Sequence, residues 1–420
     1  MKKWKIIIAV LILLLIGLVF YIRERDYEMR QVELLEQAKE ERKQLIANIE
    51  KHYNEKVLIT KDTDLYENKN DKYKKAGSIK KDMYIELDEH PKKQEAYFKL
   101  KELDLYVYYE DVTPVDEIPV DTTYQSYVTF NLDIVTNKKN VDFYDTKATK
   151  LITFNQEKTF TVIGKTTDRY YVEFNHMFGY ILKEDIAKEV ESHHSDQEIA
   201  SEIAVLNYHF FYDQANGESC NQIICHEKQV FTEHLNYLRD QQFFTVDMSS
   251  FSMFLDGTIQ LPKKSVLITI DDGGQGVKEI AIPMLTEYKM NATIFLVTSW
   301  YNPTEYENDY IECHSHTHNM HDVGVCPTEY GQGGGLLCLD SELIKNDLQA
   351  SRDALHGSTI LAYPLYDYND YAIEQLKTNG FTMAFIGDSR KAKVGEDHYK
   401  IPRFPVSTSW SQETFINVVN

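Results

Sequence analysis

Leu267–Gly273 reads LITIDDG, an apolar run that ends in two adjacent aspartates and a glycine. The apolar residues predict a buried β-strand, so Asp271 and Asp272 stand at its carboxyl end. Two neighbouring buried carboxylates repel each other and lose hydration, and therefore require a compensating positive charge. A divalent cation bound by Asp272 would supply that charge and leave Asp271 free to act as a base.

Four histidines follow a second predicted strand and offer the remaining metal ligands. They are His314, His316, His318 and His321. One carboxylate and two imidazoles suit a divalent metal that keeps open positions for water and substrate. A His-Ser-x-x-His pattern selects His314 and His318. Strand alternation does not discriminate, because His314 and His316 share a face.

Strands and helices alternate from residue 200 to residue 420, which predicts a parallel α/β sheet or barrel. The predicted strands are Ala204–Tyr208, Val266–Ile270, Ala292–Val297, Tyr310–His314, Thr359–Ala362 and Met383–Ile386. The predicted helices are Lys228–Gln241, Val277–Tyr288, Ser341–Leu355 and Tyr371–Asn379. In parallel barrels the reactive groups lie at the carboxyl ends of strands. The aspartate pair and His316 fall at such ends, and His209 follows another.

The first residues of the chain predict a signal anchor over residues 1–24. Lysines precede the apolar run Ile6–Ile22, and Arg23 and Arg25 close it. This pattern predicts a single-pass transmembrane helix with a cytoplasmic N-terminus and the rest of the chain outside the cell. Residues 25–56 are charged, with apolar residues at helical spacing, and predict a helical stalk.

Short Tyr-rich alternating stretches fill the chain from the stalk to residue 190 and predict an all-β region. The pattern repeats, since Tyr97–Leu100 recurs as Tyr171–Phe174. This repetition predicts two small barrels in tandem, over residues 57–117 and 118–190. The pair resembles bacterial SH3-like cell-wall domains, which implies wall binding. The alternative is that the barrels are spacers whose tyrosines lie in their cores.

Composition and cysteine usage narrow the class of protein. A content of 43% hydrophobic and 26% charged residues is typical of a folded chain. The net charge of −21 argues against nucleic acid or anionic lipid as partners. The chain has five cysteines. The preferred pairing is Cys220 with Cys225 and Cys326 with Cys338, which leaves Cys313 over. Five unpaired thiols are the alternative.

Residues 200–420 resemble the polysaccharide deacetylase family (carbohydrate esterase family 4, NodB homology). The resemblance rests on Thr269–Gly273, Asn291–Phe295, Ser315–Thr317 with His321, Ala362–Pro364 and Ile401–Arg403. Within the family, the segment looks closest to the branch of poly-N-acetylglucosamine deacetylases and the streptococcal deacetylase of the wall-polysaccharide linkage unit. That branch has a Tyr-His pair near the domain start, here Tyr208-His209. The resemblance implies a distorted (β/α) barrel.

The resemblance also implies an activity, which is metal-dependent removal of acetyl groups from N-acetylglucosamine residues of a cell-wall glycan. The glycan would be peptidoglycan or a wall-polysaccharide linkage unit, and the catalytic domain would face the wall. By their positions in the family motifs, Asp272, His316 and His321 bind the metal, with Glu312 setting the frame that selects His316. Zn²⁺ is the first choice, with Co²⁺ or Mn²⁺ as alternatives.

Three further residues take roles by the same resemblance, beside Asp271 as the base. The backbone N–H of Leu365 aligns with the donor that stabilises the oxyanion, and His209 is the candidate acid. Ala362 replaces the family arginine that orients the base, so Arg403 is the candidate replacement. The family's C-terminal Leu-x-His acid motif is absent.

Two other functions remain open on the sequence. One is a catalytically inactive scaffold that binds the wall, which the missing arginine motivates. The other is an O-deacetylase of glycan esters, which would use the same residues. Neither the exact glycan nor the oligomeric state follows from the sequence.

Overall fold

The computed structural model of the chain describes residues 2–70, 72–88, 96–120, 122 and 124–420, apart from the side chains of residues 2–9 and of Tyr330. By their contacts these residues form two compact units. The first unit comprises Met1–Asp121, Val135–Thr159 and Glu173–Lys188. The second comprises Thr122–Ile134, Phe160–Val172 and Glu189–Asn420.

The α-helices and β-strands are numbered in chain order. The helices are α1 (Lys2–His52), α2 (Lys228–Asp240), α3 (Met248–Leu255), α4 (Ile282–Tyr288, preceded by a π-helical turn at Val277–Ala281), α5 (Ser341–Ala354), α6 (Asp370–Thr378) and α7 (Gln412–Val419). The strands up to residue 191 are β1 (Lys56–Ile59), β2 (Thr63–Lys69), β3 (Lys72–Ile79), β4 (Tyr84–Glu86), β5 (Tyr97–Lys99), β6 (Tyr106–Tyr108), β7 (Val112–Pro114), β8 (Leu132–Thr136), β9 (Val141–Asp145), β10 (Lys150–Phe154), β11 (Thr159–Thr161), β12 (Gly164–Lys165), β13 (Arg169–Phe174), β14 (Met177–Leu182) and β15 (Ile186–Glu191). The later strands are β16 (Glu202–Tyr208), β17 (Phe210–Tyr212), β18 (Cys225–Glu227), β19 (Phe244–Thr245), β20 (Ser265–Asp272), β21 (Ala292–Leu296), β22 (Ile311–Ser315), β23 (Ile360–Ala362), β24 (Met383–Phe385), β25 (Ala392–Lys393) and β26 (Phe404–Pro405).

Helix α1 contains most of the predicted stalk over residues 25–56. The transmembrane prediction for residues 1–24 is not confirmed, because no helix in the described part of the chain is both long and apolar enough to span a membrane. Part of that predicted anchor lies in residues 1–9, outside the described side chains.

The β-rich part of the first unit contains a sheet with the strand order β14-β9-β10-β3-β2-β6-β5. Strand β3, from the first predicted barrel, pairs antiparallel with β10, from the second, with Ile79 opposite Ile152. A Cβ on Gly77 would lie 2.2 Å from the Thr153 carbonyl oxygen, so this close pairing requires glycine. One sheet therefore includes strands from residues 57–117 and from residues 118–190, and two separate SH3-like barrels are not confirmed.

The second unit is built on a parallel sheet in the order β24-β23-β22-β21-β20-β16. Neighbouring strands follow one another along the chain, and α4, α5 and α6 provide crossovers between them. The sheet is a half barrel. Ile401 bridges Phe385 of β24, and Phe404 pairs with Leu206 of β16, so the segment 401–405 joins the two edges. The predicted α/β architecture is confirmed at this level.

Each predicted strand and helix of this unit is present, with its bounds shifted by a few residues. Helix α3 escaped prediction because its sequence, MSSFSMFL, has no clear polar face. It begins where the Asp247 carboxylate accepts a hydrogen bond from the Ser250 N–H at 2.9 Å. The disulfide prediction is confirmed, with Cys220–Cys225 and Cys326–Cys338 bonded and Cys313 free.

Two histidines are buried in the core between β16 and the helices. His226 packs edge-on against the Tyr208 ring, and His234 stacks on Phe415 with ring centroids 3.9 Å apart. The Tyr208 hydroxyl and His234 Nδ1 form a hydrogen bond at 3.0 Å. Burial lowers the pKa of His226 to about 3, with nearby imidazoles adding to the effect, and burial lowers the pKa of His234 to about 4.

This burial predicts that the second unit loses stability on mild acidification. An unfolded histidine binds a proton below its ordinary pKa of about 6.5, whereas these two stay neutral when folded. The stabilisation is therefore complete above pH ~6.5 and falls as the pH drops towards 4, by up to ~1.4 kcal/mol per pH unit for each histidine. Urea unfolding followed by the fluorescence of Trp300 and Trp410 measures this slope.

The matched variants are His234→Gln and His193→Gln, which make the same change at a buried and at an exposed position. His234→Gln should flatten the dependence of the unfolding free energy on pH between about 4, the pKa of His234 in the folded protein, and about 6.5, the ordinary histidine pKa. His193→Gln should leave this dependence unchanged. Equal slopes in the wild type and in His234→Gln would contradict this explanation.

Candidate active site

The end of β20 brings two adjacent carboxylates into one site. In a regular strand, neighbouring side chains point to opposite faces of the sheet. Asp272 departs from the strand with φ 69°, in the left-handed region, and Gly273 follows with φ 94°. A Cβ on Gly273 would lie 2.7 Å from Leu296 Cδ2, so the turn requires glycine there. The turn redirects Asp272 towards the carboxyl end of the sheet, where Asp271 also lies.

The Asp272 carboxylate meets two imidazoles. Its Oδ1 lies 3.3 Å from His316 Nε2 and 2.9 Å from His321 Nε2. One ligand atom from each of the three residues lies within 4.8 Å of the others. His316 Nδ1 is 2.9 Å from the Ala362 carbonyl oxygen, which can only accept, so Nδ1 carries the hydrogen. In the neutral ring, which is the form that binds a metal, the Nε2 lone pair of His316 therefore faces Asp272.

These three residues fit a divalent cation. Asp272 Oδ1 is buried and accepts no well-formed hydrogen bond within the described part of the chain, although two ring nitrogens are close to it. A carboxylate oxygen and an imidazole lone pair repel each other unless a cation or a proton lies between them. Two nitrogens and one oxygen suit Zn²⁺, Co²⁺ and Mn²⁺, and the geometry does not choose among these metals.

His314 and His318, which sequence spacing left as rival ligands, point elsewhere. His314 Nδ1 is 2.7 Å from Ser358 Oγ, and His318 Nδ1 is 3.0 Å from Thr298 Oγ1. Strand β22 ends at Ser315, so the turn beyond it, with Thr317 at φ 68°, decides which ring meets Asp272. The structure thus brings His316 and His321 to the aspartate.

The Asp271 carboxylate lies in a separate, fully protein-made cradle. Arg403 Nη1 donates to Oδ1 at 2.6 Å, and Arg403 Nη2 donates to Oδ2 at 2.8 Å. Asn207 Nδ2 also donates to Oδ2, at 2.8 Å. Burial raises the pKa of Asp271, but the Arg403 guanidinium and the His316 imidazole outweigh burial and hold that pKa below its ordinary value. Asp271 is therefore ionised at neutral pH.

Arg403, the predicted replacement for the family arginine that is absent at Ala362, contacts Asp271. It lies in the segment that joins the two edges of the half barrel, and its side chain is 0% exposed. Its guanidinium carbon lies 5.4 Å from the Phe295 ring centroid and 5.9 Å from that of Phe385, so aromatic faces cover it. Asn207 was missed from the sequence, although a polar residue inside the strand sequence EIAVLNY was a usable signal.

His209 and Leu365 border the same region. His209 directly follows β16, is buried, and has no hydrogen-bond partner for Nδ1 among the described residues. Burial lowers the pKa of His209 below its ordinary value despite the nearby carboxylates, so the imidazole is neutral. Leu365 follows β23 in a turn with φ 62° and ψ 9°. No measured distance links either residue to a substrate position, so their roles stay predictions.

The Cys326–Cys338 loop is attached beside this turn. The Asp367 carboxylate accepts hydrogen bonds from the N–H groups of Gln332 and Gly334, both at 3.0 Å. A Cβ on Gly331 would lie 2.0 Å from Asp367 Oδ1, so glycine permits this approach. At another side of the site, Trp300 is 48% exposed, with its ring 5.3 Å from that of His321. These features place a fixed loop and an exposed indole near the metal ligands.

Comparison with known proteins gives one family match. Residues 258–384 match the polysaccharide deacetylase family. The chain is 29% identical over 168 residues to the poly-β-1,6-N-acetyl-D-glucosamine N-deacetylase of Staphylococcus epidermidis, which covers 35% of this chain and 56% of that protein. It is 22% identical over 227 residues to the enzyme of the same name from Staphylococcus aureus strain MRSA252, which covers 48% of this chain and 78% of that protein.

Two solved structures show a weaker likeness. One is a de-N-acetylase from Aggregatibacter actinomycetemcomitans, with a TM-score of 0.45 and 21% identity, covering 52% of this chain and 99% of that one. The other is a Streptococcus pyogenes deacetylase in complex with acetate, with a TM-score of 0.42 and 17% identity, covering 52% of this chain and 98% of that one.

The geometry predicts that metal binding depends on three side chains and not on their neighbours. Asp272→Asn, His316→Gln and His321→Gln should each lower the affinity for Zn²⁺ by at least about 10²-fold, since each removes one of three ligands. Titration of the metal-free protein with Zn²⁺ in a calorimeter measures this affinity. His314→Gln and His318→Gln are the controls, and their binding should match the wild type. A loss confined to these controls would reverse the ligand assignment.

The Asp271–Arg403 pair predicts a strong stability effect. Arg403→Met leaves the Asp271 charge buried without its main partner, which should lower the unfolding free energy by about 3–5 kcal/mol. Adding Asp271→Asn removes that charge, so the double variant should recover part of the loss. Urea denaturation of the four proteins completes the cycle. If the loss of unfolding free energy in the double variant equals the sum of the losses in Arg403→Met and Asp271→Asn, the two residues are not coupled, which would contradict this prediction.

Proposed function

We propose that the chain is a metal-dependent N-deacetylase acting on N-acetylglucosamine residues of a cell-wall glycan, on the premise that residues 258–384 match the polysaccharide deacetylase family. The observation that supports this most directly is the separation of the two neighbouring carboxylates. Asp272 faces two imidazoles, whereas Asp271 is bound by Arg403 and Asn207. One carboxylate is thus suited to a metal and the other to a proton.

Hydrolysis of an acetyl amide requires a stronger nucleophile than neutral water and a more electrophilic carbonyl than that of a free amide. A divalent cation held by Asp272, His316 and His321 would supply both, by acidifying water and by polarising the acetyl oxygen. Asp271 takes the proton of the attacking water. Its Oδ1 accepts one hydrogen bond in the described structure, from Arg403, so a lone pair remains for that proton. Arg403 and Asn207 also fix the orientation of the carboxylate.

The leaving amine needs a proton as the C–N bond breaks. His209 is the proposed donor, but burial keeps its imidazole neutral. It must therefore gain a proton during the reaction, and Asp271 has one to give after it has taken the proton of the attacking water. Leu365 is proposed to donate its backbone N–H to the oxyanion.

The substrate class rests on the relatives and on the disulfides. The staphylococcal relatives are named for a polymer of N-acetyl-D-glucosamine. Two disulfides in one unit indicate an oxidising location, so we propose that the domain works outside the cytoplasm, where wall glycans lie. The Arg403–Asp271 pair restores the contact whose apparent loss motivated an inactive scaffold, which favours an active enzyme.

The decisive variant is Asp271→Asn. It should lower the rate of acetate release from wall glycan or from N-acetylglucosamine oligomers by about 10²–10⁴-fold, because an amide cannot take the proton from water. Zn²⁺ affinity should stay within a few-fold of the wild type, since Asp271 is not a ligand. Near-normal release by Asp271→Asn would exclude it as the base. Faster cleavage of O-acetyl than of N-acetyl groups by the wild type would favour the ester reaction.

A further inference from the structure

Tyr366 has an unusual backbone. It follows Leu365 in the turn after β23, and the two residues have φ of 60° and 62°. Residues with a Cβ rarely adopt this left-handed conformation, and two in succession are rarer still. Such strain persists where the surrounding structure imposes it, often at functional sites. Here the strained turn sets the direction of the Tyr366 side chain.

The Tyr366 ring is directed at the site described above. Arg403 Cζ lies 5.6 Å from its centroid, and the His209 ring meets it edge-on at 6.3 Å. Gly387 makes room for it, since a Cβ there would lie 2.8 Å from Tyr366 Cδ1. The ring is therefore held between the residue that orients the base and the proposed acid.

The Tyr366 hydroxyl is buried and has no hydrogen-bond partner among the described residues. Two buried tyrosines of this unit have partners for their hydroxyls. The Tyr363 hydroxyl donates to the Tyr399 carbonyl oxygen at 3.2 Å, and the Tyr208 hydroxyl is hydrogen-bonded to His234. An unpaired buried hydroxyl destabilises a fold, so a fold that keeps one at a strained position has another use for it.

The unpaired hydroxyl belongs to a group of such atoms. Asp272 Oδ1, His209 Nδ1, Asn207 Oδ1 and Arg403 Nε are also buried without a hydrogen-bond partner in the described part of the chain. Polar atoms that converge without partners indicate a site that a ligand completes. Among these five, the tyrosine hydroxyl is a neutral group that can donate.

We propose that the Tyr366 hydroxyl donates a hydrogen bond to the acetyl oxygen of the substrate as that oxygen becomes negative. The step rests on the proposed deacetylation. Water oxygen bonds to the acetyl carbon, its proton goes to Asp271, and the electron pair of the C=O π bond moves to the oxygen that Tyr366 contacts. When that pair returns, the C–N bond breaks, and the amine takes from His209 the proton that Asp271 received from water. Preorganised donors of this kind stabilise such transition states.

The protonation state of Tyr366 fits this role. Burial raises the pKa of its phenol above the ordinary value, and the charges of Asp271 and Asp272 add to this, although Arg403 opposes it. The phenol therefore keeps its proton throughout the neutral range. A structural role is the rival explanation, in which the ring only covers the Arg403 guanidinium.

Tyr366→Phe separates the two explanations, because it keeps the ring over Arg403 and removes only the hydroxyl. The rate of acetate release from an N-acetylglucosamine oligomer should fall by about 10²–10³-fold in kcat with KM within a few-fold of the wild type. The midpoint of urea unfolding of the metal-free protein should stay the same or rise, since an unpaired hydroxyl has been removed.

Tyr363→Phe is the matched control, because it removes a buried hydroxyl that has a partner outside the site. It should lower the unfolding midpoint and leave kcat unchanged. If the wild type releases acetate and the kcat of Tyr366→Phe lies within threefold of the wild-type value, the role of Tyr366 is overturned and the proposed function is not. A wild type that releases none would overturn the proposed function, and this role with it. A lower unfolding midpoint for Tyr366→Phe would show that the hydroxyl has a structural partner.

Discussion

The adjacent carboxylates of Asp271 and Asp272, at the end of a buried strand, are the constraint on which the rest of the site depends. At about 4 Å and an effective dielectric of about 20, two such charges repel by ~4 kcal/mol, before the loss of hydration is counted. The fold gives each of the two carboxylates different partners. Asp271 receives a guanidinium and an amide from the protein itself, whereas Asp272 receives two imidazoles that suit a cation. The difference in partners is what separates a base from a ligand.

The parallel half barrel explains how these partners meet. Asn207 and His209 come from β16 and the residue after it, the aspartates from β20, and His316 from the end of β22. All of these strands run in the same direction, so their carboxyl ends converge at one rim. Arg403 reaches that rim from the segment that joins the sheet edges, which gives one segment two functions. It closes the fold and it neutralises the base.

Four strained backbone positions lie at the same rim. Asp272, Thr317, Leu365 and Tyr366 all have φ between 60° and 69° without being glycine. Each lies at the end of a parallel strand or just past it, where regular pairing stops and the chain turns. These turns aim side chains in directions that strand alternation does not allow. Local sequence rules fail at such positions because the surrounding fold, and not local preference, sets the backbone.

The sequence by itself determined the parallel α/β order of the second unit, the position of the aspartate pair, the histidine cluster and the local disulfides. These features depend on periodicity and spacing over a few residues, which the chain carries wherever it folds. Spacing alone left His314 and His318 as rival ligands; the family resemblance selected His316 and His321, and the tertiary structure brings these two rings to Asp272. Only that structure decided that Asn207 binds Asp271 beside Arg403, that the Tyr366 hydroxyl has no hydrogen-bond partner among the described residues, and that one sheet includes strands from both predicted barrels. Those outcomes depend on left-handed turns and on contacts between residues up to 132 positions apart, which no local pattern encodes.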